Sequence, residues 1–284
     1  MGKAVLGIDV GGSATKIVGF KNTENGRELI PPQYVHANDP LTSIYGAFGK
    51  FTMENNLSLG DIERVMMTGV GSTFAEKPLY EGLNCHTVPE FDSVGRGGLY
   101  LSGLDRAVVV SMGTGTALIY AEKQENNKVK IEYLGGTGVG GGTLIGLSRL
   151  MLGVDTVEHI EQLAKLGDLA NIDLRIGDMS RKNLHPDMNL ELTASNFGKV
   201  SDLADKNDVA LGIANLVGET IGMLAVFAAR NYGLDRVVLT GNLTTLAPIR
   251  RVFEILERTF NIHFIIPENA QYATVIGAAL GTLK

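Results

Sequence analysis

Glycine is the feature that most restricts what this sequence can fold into. Half of the 36 glycines fall into six short clusters, at residues 11–12, 69–71, 95–98, 113–115, 135–146 and 277–281. Several of these clusters directly follow short apolar runs. Because glycine permits positive φ and lets a backbone approach a ligand closely, this clustering predicts ligand-cradling turns after strands rather than a flexible chain.

Two stretches of the chain share one order of predicted elements. Strands are expected over residues 3–10, 15–20 and 29–36, and again over 107–111, 117–121 and 129–134, each set with a glycine turn and then a polar turn. Further strands are predicted over residues 62–68, 85–88, 236–240 and 263–266, and helices over 39–54, 142–152, 156–166, 204–232, 248–258 and 273–283. This order is typical of a mixed α/β fold made of two similar halves. We place the boundary between domains 1–104 and 105–284, and such halves would enclose a cleft.

The amino-acid composition argues against several classes of protein. The net charge is -6 and the pI is near 5.4, which disfavours binding to nucleic acid or to an anionic membrane. The single cysteine excludes an internal disulfide and a multi-cysteine zinc site. The apolar stretch over residues 209–229 contains Asn215 and Glu219, so we do not expect it to span a membrane. The N-terminus leads into a strand without a signal-peptide pattern, which predicts a cytoplasmic protein.

The first glycine turn has the composition of a phosphate cradle. Its residues are Asp9, Gly11, Gly12, Ser13, Ala14, Thr15 and Lys16. Turn amides and hydroxyls bind phosphate oxygens, Asp9 can hold Mg²⁺, and Lys16 can neutralise phosphate charge. The alternative interpretation is an ordinary β-hairpin turn.

A second cradle is predicted at the equivalent place in the second half. The turn at residues 112–116 offers backbone amides and the Thr114 hydroxyl. The glycine-rich loop at residues 135–143 precedes a predicted helix, whose N-terminus favours an anion. Two such turns at matching places favour nucleotide binding over two unrelated turns.

Two carboxylates follow a short predicted strand. Glu90 and Asp92 lie within three residues of each other, and either could accept the proton of an attacking hydroxyl. Most surface carboxylates only bind solvent, and Asp92 could instead cap the helix that follows. From the residues alone, both interpretations remain open.

These motifs together resemble those of a known family. The Asp9–Lys16 turn, the Glu-Phe-Asp segment at residues 90–92, the glycine segments and the Leu-Thr-Ala-Ser-Asn-Phe-Gly segment at residues 192–198 resemble type II (eukaryotic-like) pantothenate kinases. These belong to the superfamily of acetate and sugar kinases, Hsp70 and actin. The resemblance implies two RNase H-like, actin-like ATPase domains with a nucleotide cleft between them.

The resemblance also implies an activity and site residues. It implies phosphorylation of the pantothenate hydroxyl, the first step of coenzyme A synthesis, with ATP and Mg²⁺, by a homodimer whose interface helix lies at residues 204–232. Glu90 would be the general base and Asp9 the metal ligand. The ATP contacts would be the first turn together with Thr114, Gly115, Gly141, Gly142, Thr143, Leu144, Ile145 and Asn242. The residues next to the acceptor would be Tyr133, Thr193, Ala194 and Asn196.

Tyr133 departs from the family pattern. The family has an arginine at this position, which pairs with the pantothenate carboxylate, and a neutral phenol cannot form that charge-assisted pair. Either another cation such as Arg96 or Arg149 replaces it, or the acceptor is a related uncharged alcohol, pantetheine-like or a sugar. A non-catalytic nucleotide or coenzyme A sensor is the third hypothesis, and the carboxylate of Glu90 argues against it.

Overall fold

The computed structural model describes residues 3–12, 14–24, 26–36, 39–74, 79–125, 128–179 and 189–281. The chain divides into two compact units. The first comprises Met1–Val109, Ile119–Tyr133 and Pro267–Lys284, and the second comprises Val110–Leu118 and Leu134–Ile266. The predicted boundary at residues 104/105 is based on the strand pattern, whereas these two units are defined by contacts between residues. The division into domains 1–104 and 105–284 therefore stays a prediction.

The first sheet has five strands. They are β1 (Ala4–Val10), β2 (Thr15–Thr23), β3 (Gly26–Val35), β4 (Ile62–Thr68) and β5 (Cys85–Thr87). Their order is β3-β2-β1-β4-β5, with antiparallel β1–β2 and β2–β3 pairs and parallel β1–β4 and β4–β5 pairs. The five predicted strands are confirmed. The polar turn predicted over residues 22–26 is too long, because β2 continues to Thr23 and β3 begins at Gly26.

The second five-stranded sheet repeats this arrangement. Its strands are β6 (Arg106–Met112), β7 (Thr116–Lys123), β8 (Val129–Thr137), β11 (Arg236–Thr240) and β12 (His263–Ile265). The order β12-β11-β6-β7-β8, read from its other end, is the order of the first sheet, which confirms the predicted repeat. A small two-stranded sheet of β9 (Leu174–Arg175) and β10 (Thr193–Ser195) was not predicted, since strands this short show no periodicity.

The described helices are α1 (Pro40–Glu54), α2 (Glu90–Ser102), α3 (Gly141–Leu152), α4 (Val157–Ala164), α5 (Ile176–Met179), α6 (Lys206–Asn231), α7 (Ala247–Phe260) and α8 (Ala273–Ala279). Six of them match predicted ranges closely, whereas α2 was expected only as a helix of no stated extent after Asp92. The short α5 was not predicted. The last helix was predicted to reach residue 283 but ends at Ala279, and residues 282–284 lie outside the described part of the chain.

The apolar side chains of β1 and β2 explain how helices cover the two faces of the first sheet. Leu6 and Ile8 share one buried cluster with Ile44 and other apolar residues of α1, which begins where the Asp39 carboxylate accepts a hydrogen bond from the Thr42 amide at 2.6 Å. On the other side, Val18 and Phe20 of β2 pack against α8. The sheet therefore lies between α1 and α8, and the C-terminal end of β1 is where Asp9 is found.

Helix α6 is the one described helix that is long and apolar enough to cross a membrane. Its most apolar window is 61% buried within the protein, and the helix carries Asn215 and Glu219. These features are those of a core helix.

Candidate active site

The first predicted cradle is the turn between β1 and β2. The Gly11 amide donates to the carbonyl of Ala14 at 3.1 Å, and Asp9 lies directly opposite Lys16 in the antiparallel ladder. Gly11 and Gly12 are exposed, Ala14 is half-buried, and Thr15 is buried in the sheet. Ser13 lies outside the described residues. The hairpin-turn interpretation is therefore correct for the backbone, and the turn still presents Asp9 and Lys16 on one side of the sheet.

Asp9 is a largely buried carboxyl with an altered pKa. Burial raises the pKa of Asp9 to about 6, the positive charge of Lys16 lowers it, and the negative charge of Glu90 raises it. Gly69, with φ of +85°, lies against this carboxyl, and a Cβ there would be only 2.6 Å from an oxygen of Asp9. The backbone after β4 thus closes over Asp9, which no side chain at residue 69 would allow.

Lys16 is fixed by a backbone carbonyl far along the chain. Its Nζ donates to the carbonyl oxygen of Gln271 at 2.6 Å, just before α8. Burial lowers the pKa of Lys16, and the nearby Asp9 charge opposes that shift. Sequence reasoning missed Gln271, because a backbone acceptor 255 residues away leaves no signal in the side-chain pattern.

Glu90 is the first residue of α2. The residue before the helix is Pro89, so the interpretation of Asp92 as its cap is wrong; Asp92 lies in the first helical turn instead. Burial raises the pKa of Glu90, although its side chain keeps contact with solvent. The charges of Lys16 and Glu90 both act on Asp9, so the structure brings these three residues into one charged group.

The residue that follows Glu90 belongs to an aromatic pair. The rings of Phe91 and Tyr133 are stacked face to face, with centroids 4.2 Å apart and planes 2° from parallel. The side chains remain 37% and 51% exposed, respectively. Phe91 belongs to a motif that resembles the family and Tyr133 departs from the family pattern, but their contact leaves no signal in the sequence.

The second predicted cradle consists of two glycine segments bonded to each other. The Gly141 and Gly142 amides donate to the carbonyls of Gly113 and Thr114 at 2.9 and 2.8 Å. The loop predicted from residue 135 is wrong at its start, since β8 continues through Gly135 to Thr137. Gly135 has φ of +128°, which glycine adopts without strain, so the ladder does not break there.

The remaining predicted ATP contacts surround the start of α3 and the end of β11. Thr143 Oγ1 donates to the Gly138 carbonyl and accepts from the Gly140 amide, while Leu144 is buried and Ile145 half-buried. Asn242 follows Gly241, whose backbone packs against Met112 just before the Gly113–Gly115 turn. The structure therefore gathers Thr114, Gly115, Gly141–Ile145 and Asn242 in the second unit; their contact with ATP stays a prediction.

The predicted acceptor residues of the second unit lie on a small hairpin held by a buried network. Asn215 donates to Asp173 at 2.8 Å and to Thr193 at 3.1 Å, and Asn196 donates to Glu219 at 3.1 Å. Burial raises the pKa of Glu219. Ala194, the middle residue of β10, is exposed.

A cavity of about 450 Å³ lies beside that hairpin, within the second unit. Thr193, Asn215 and Glu219 line it together with Arg175 and Arg251. Polar residues inside the apolar α6 are the signal by which Asn215 and Glu219 could have been recognised as site residues.

Among the described residues there is no group of three or more histidine, cysteine, aspartate or glutamate side chains that could hold a metal ion. Asp9 is therefore a single-carboxylate candidate. Mg²⁺ fits such a site, because it is commonly held by one or two carboxylates together with phosphate oxygens and water.

This chain has sequence relatives among known proteins. The family model described as Fumble matches residues 106–262. A type II pantothenate kinase of Oceanobacillus iheyensis is 32% identical over 211 residues, covering 71% of this chain and 77% of that protein. One of Staphylococcus haemolyticus is 28% identical and covers 96% of this chain and 98% of its own.

Solved structures share the fold. Component A of the (R)-2-hydroxyglutaryl-CoA dehydratase of Acidaminococcus fermentans has a TM-score of 0.66 at 18% identity, covering 98% of this chain and 96% of its own. The activator of the 2-hydroxyisocaproyl-CoA dehydratase of Clostridium difficile, with bound ADPNP, has a TM-score of 0.64 at 19% identity, covering 98% and 93%. At such identities the likeness shows the fold alone, which is that of actin-like ATPases and confirms the predicted fold class.

Proposed function

The chain belongs to the Fumble family, with type II pantothenate kinases among its relatives, and from that premise we propose that it transfers the γ-phosphoryl group of ATP to the primary hydroxyl of pantothenate. This reaction is the first step of coenzyme A synthesis. The observation that carries the proposal is the position of Glu90 at the start of α2, within electrostatic reach of the Asp9–Lys16 pair.

Glu90 is the proposed general base. A carboxylate whose pKa is raised by burial is a stronger base than a solvated one, and it retains access to solvent and hence to a substrate. In its ionised form it accepts the proton of the acceptor hydroxyl while that oxygen attacks the γ-phosphorus. Lys16 supplies a fixed positive charge close to the reacting groups.

The residues around Asp9 fit Mg²⁺–ATP. Mg²⁺ bound with the nucleotide neutralises charge on the transferred phosphoryl group. Asp9 would hold the metal through its carboxylate, and the Gly11–Lys16 turn would face the phosphates. In the second unit the proposed contacts are Thr114, Gly115, Gly141–Ile145 and Asn242.

For the acceptor we propose Tyr133, Thr193, Ala194 and Asn196. The buried Asp173–Asn215–Thr193 hydrogen bonds give the hairpin a fixed position, which is what a residue that orients a substrate requires.

We further propose a cytoplasmic homodimer with the domains 1–104 and 105–284. The support for the dimer is on α6, where Leu216, Met223 and Phe227 recur at the spacing of one helix face. Leu216 and Met223 are half-buried within the unit, and Phe227 is 58% exposed.

The proposed function is tested by measuring ADP release with Mg²⁺–ATP and identifying phosphopantothenate by mass spectrometry. We expect Glu90→Gln to lower kcat by about 100-fold or more, the usual contribution of a general base. Asp92→Asn is the matched control, because it removes a carboxylate of the same helical turn, and it should retain activity.

The pH profile supplies a second readout. Because burial raises the pKa of Glu90, kcat/KM should fall as the pH falls through that raised value, and this acid limb should be missing in the glutamine variant. Tight binding of ATP without turnover of any acceptor would contradict the proposal and favour a nucleotide sensor.

A further inference from the structure

Lys16 lies on the face of β2 that α8 covers. Because side chains alternate along a strand, Lys16, Val18 and Phe20 share one face of the first sheet. Val18 and Phe20 are buried against α8, which follows directly on a short 3₁₀ turn at Ala270–Tyr272. The apolar face of the strand thus ends in an ammonium group beside the first glycine turn.

The backbone just before α8 supplies one contact to this ammonium. Asn269 has φ of +62°, a left-handed conformation that asparagine tolerates better than most residues, and its carbonyl accepts a hydrogen bond from the Tyr272 amide at 2.8 Å. This turn brings the carbonyl of Gln271 to the Lys16 ammonium, which donates to it at 2.6 Å. A carbonyl oxygen carries partial negative charge, so the bond stabilises the charged form of Lys16.

The ring of Tyr272 supplies a second contact. Its centroid lies 5.9 Å from Nζ of Lys16, within the range of a cation–π interaction. The same side chain is half-buried and packs against the cluster that contains Val18, Phe20 and Ile276. Packing against a buried cluster fixes the ring, so that its negative face stays next to the ammonium.

The charged and titratable groups around Lys16 leave room for such contacts to matter. Asp9 of β1 and Tyr34 of β3 lie opposite Lys16 in the strand pairs, and the charge of Glu90 of α2 acts on Asp9. Burial lowers the pKa of Lys16, and the negative charge of Asp9 opposes that shift without cancelling it. Each further contact with the ammonium, including that of Tyr272, therefore raises the pH up to which Lys16 keeps its charge.

We propose that Tyr272 is a positioning residue, whose ring, together with the Gln271 carbonyl, keeps the Lys16 ammonium charged and in place at the first glycine turn. This inference rests on the proposed function, in which Lys16 supplies positive charge close to the reacting groups. Tyr272 acts on the reaction through Lys16 and is not itself a catalytic residue.

The direct test is the pKa of Lys16, followed by NMR on protein whose lysines carry a carbon-13 label at Cε, with the signal assigned by Lys16→Arg. Tyr272→Leu removes the ring but leaves an apolar side chain beside the ammonium. We expect it to lower the pKa of Lys16 by about 0.5–1 pH unit, which is the value of a cation–π contact converted into pKa. The alkaline limb of the kcat/KM profile should move to lower pH by the same amount, because the charged form of Lys16 is the active one.

Two substitutions separate this role from simple packing. Tyr272→Phe keeps an aromatic face beside Lys16, so it should keep both the pKa and the alkaline limb of the wild type. Tyr100→Leu removes a ring that meets Phe20 edge-on at 5.7 Å, and hence a contact with the same buried cluster. We expect it to lower the thermal stability while leaving the pKa of Lys16 unchanged.

The pKa and the activity fail independently of each other. An unchanged pKa of Lys16 in Tyr272→Leu, or an equal decrease in Tyr100→Leu, would overturn the inference whether or not the protein is an active kinase. A lowered pKa with an unmoved alkaline limb would also overturn it, since Lys16 would then not act in the reaction. A lowered pKa in a protein whose wild type phosphorylates no acceptor would refute the proposed function and uphold the effect of Tyr272 on the charge of Lys16.

Discussion

At the scale of single residues, burial creates the unusual acid–base properties of this site. Asp9 and Lys16 are opposite charges, yet the pKa of Asp9 is raised and that of Lys16 lowered, because desolvation outweighs their mutual attraction. The mutual attraction of such a pair does not offset the cost of burying it, and perturbed pKa values of this kind are typical of candidate functional sites. The fold thus keeps a costly charge pair at the end of β1.

The first prediction concerns the stability of the free protein as a function of pH. Asp9 has a pKa of about 6 in the folded protein, against an ordinary value of 3.8, so the folded state binds an extra proton between these two pH values. The stability due to Asp9 is fully present below about pH 4 and is lost as the pH rises through about 6. Two pKa units correspond to about 2–3 kcal/mol.

Denaturant unfolding of the wild type and of Asp9→Asn, without divalent metal, measures this effect at each pH. The difference between their unfolding free energies should change by about 2–3 kcal/mol between pH 3.5 and 7.5. The wild type should become less stable relative to the variant as the pH rises. A difference that is constant with pH would show that Asp9 is not buried as described.

The three residues of the charged group could be singled out from the sequence, but the contacts that hold them in place could not. Asp9 and Lys16 follow a recognisable strand and turn signal, whereas Glu90 is distinguished from Asp92 only by the family resemblance. The closure of Gly69 over Asp9 and the carbonyl of Gln271 depend on tertiary contact between distant segments, so the sequence pattern does not contain them. The same holds for the stacking of Phe91 on Tyr133, which joins a helix to a strand over forty positions later.

At the scale of elements, α2 and α8 pack through glycine. A Cβ at Gly277 would overlap the carbonyl oxygen of Ser93, and one at Gly97 would overlap that of Ala273. The obstructing atoms belong to the backbone, which cannot move away as a flexible side chain can. This crossing also holds α2, and hence Glu90, in place, together with the 3.3 Å contact between the hydroxyls of Ser93 and Thr68.

We predict that Gly277→Ala lowers the free energy of unfolding by about 3 kcal/mol, because overpacking of a tight contact has costs of this order. Gly49→Ala is the control: Gly49 is exposed in α1 and has open space around its Cα, so alanine should stabilise by about 0.5–1 kcal/mol. Equal effects of the two substitutions in urea unfolding would contradict the described crossing.

The hairpin of β9 and β10 gives a third prediction. Asp173 is fully buried and accepts hydrogen bonds from the Phe197 amide and from Asn215, both at 2.8 Å. Asp173→Asn would set an NH₂ group against one of these donors, and we expect a loss of about 2–4 kcal/mol. Asp202→Asn, on the surface, should change stability by less than about 0.5 kcal/mol in the same unfolding experiment.

Elements with a clear period were predictable, and the shortest ones were not. The seven-residue β1 and the 26-residue α6 have patterns that fix their type. The two- and three-residue strands β9 and β10 are defined only by each other and by the Asp173 network. Gly135 and Gly136 of β8 predict a loop, because a pair of glycines is a turn signal in the sequence even where the strand pairing continues.

At the scale of the whole molecule, the two five-stranded sheets share one strand order. The family resemblance predicts that the chain forms a homodimer. We predict that light scattering after size-exclusion chromatography gives twice the 30.3 kDa chain mass for the wild type. Phe227→Glu should shift the protein to the monomer mass, because a charge on the exposed α6 face opposes its burial. Met53→Glu, at an exposed position of α1, should leave the dimer unchanged, and a wild-type monomer would refute the proposal.

The first unit is built from both ends of the chain. Its sheet carries Val18 and Phe20, on which α8 packs together with Leu101 of α2, and the Lys16 ammonium donates a hydrogen bond to the carbonyl of Gln271. During translation at roughly 5–20 residues per second, the face of this sheet is therefore made long before its cover. The nascent chain must keep these apolar residues from aggregating until α8 has left the ribosome. Truncations that remove α8 should consequently impair folding yield far more than a deletion of equal length in an exposed loop.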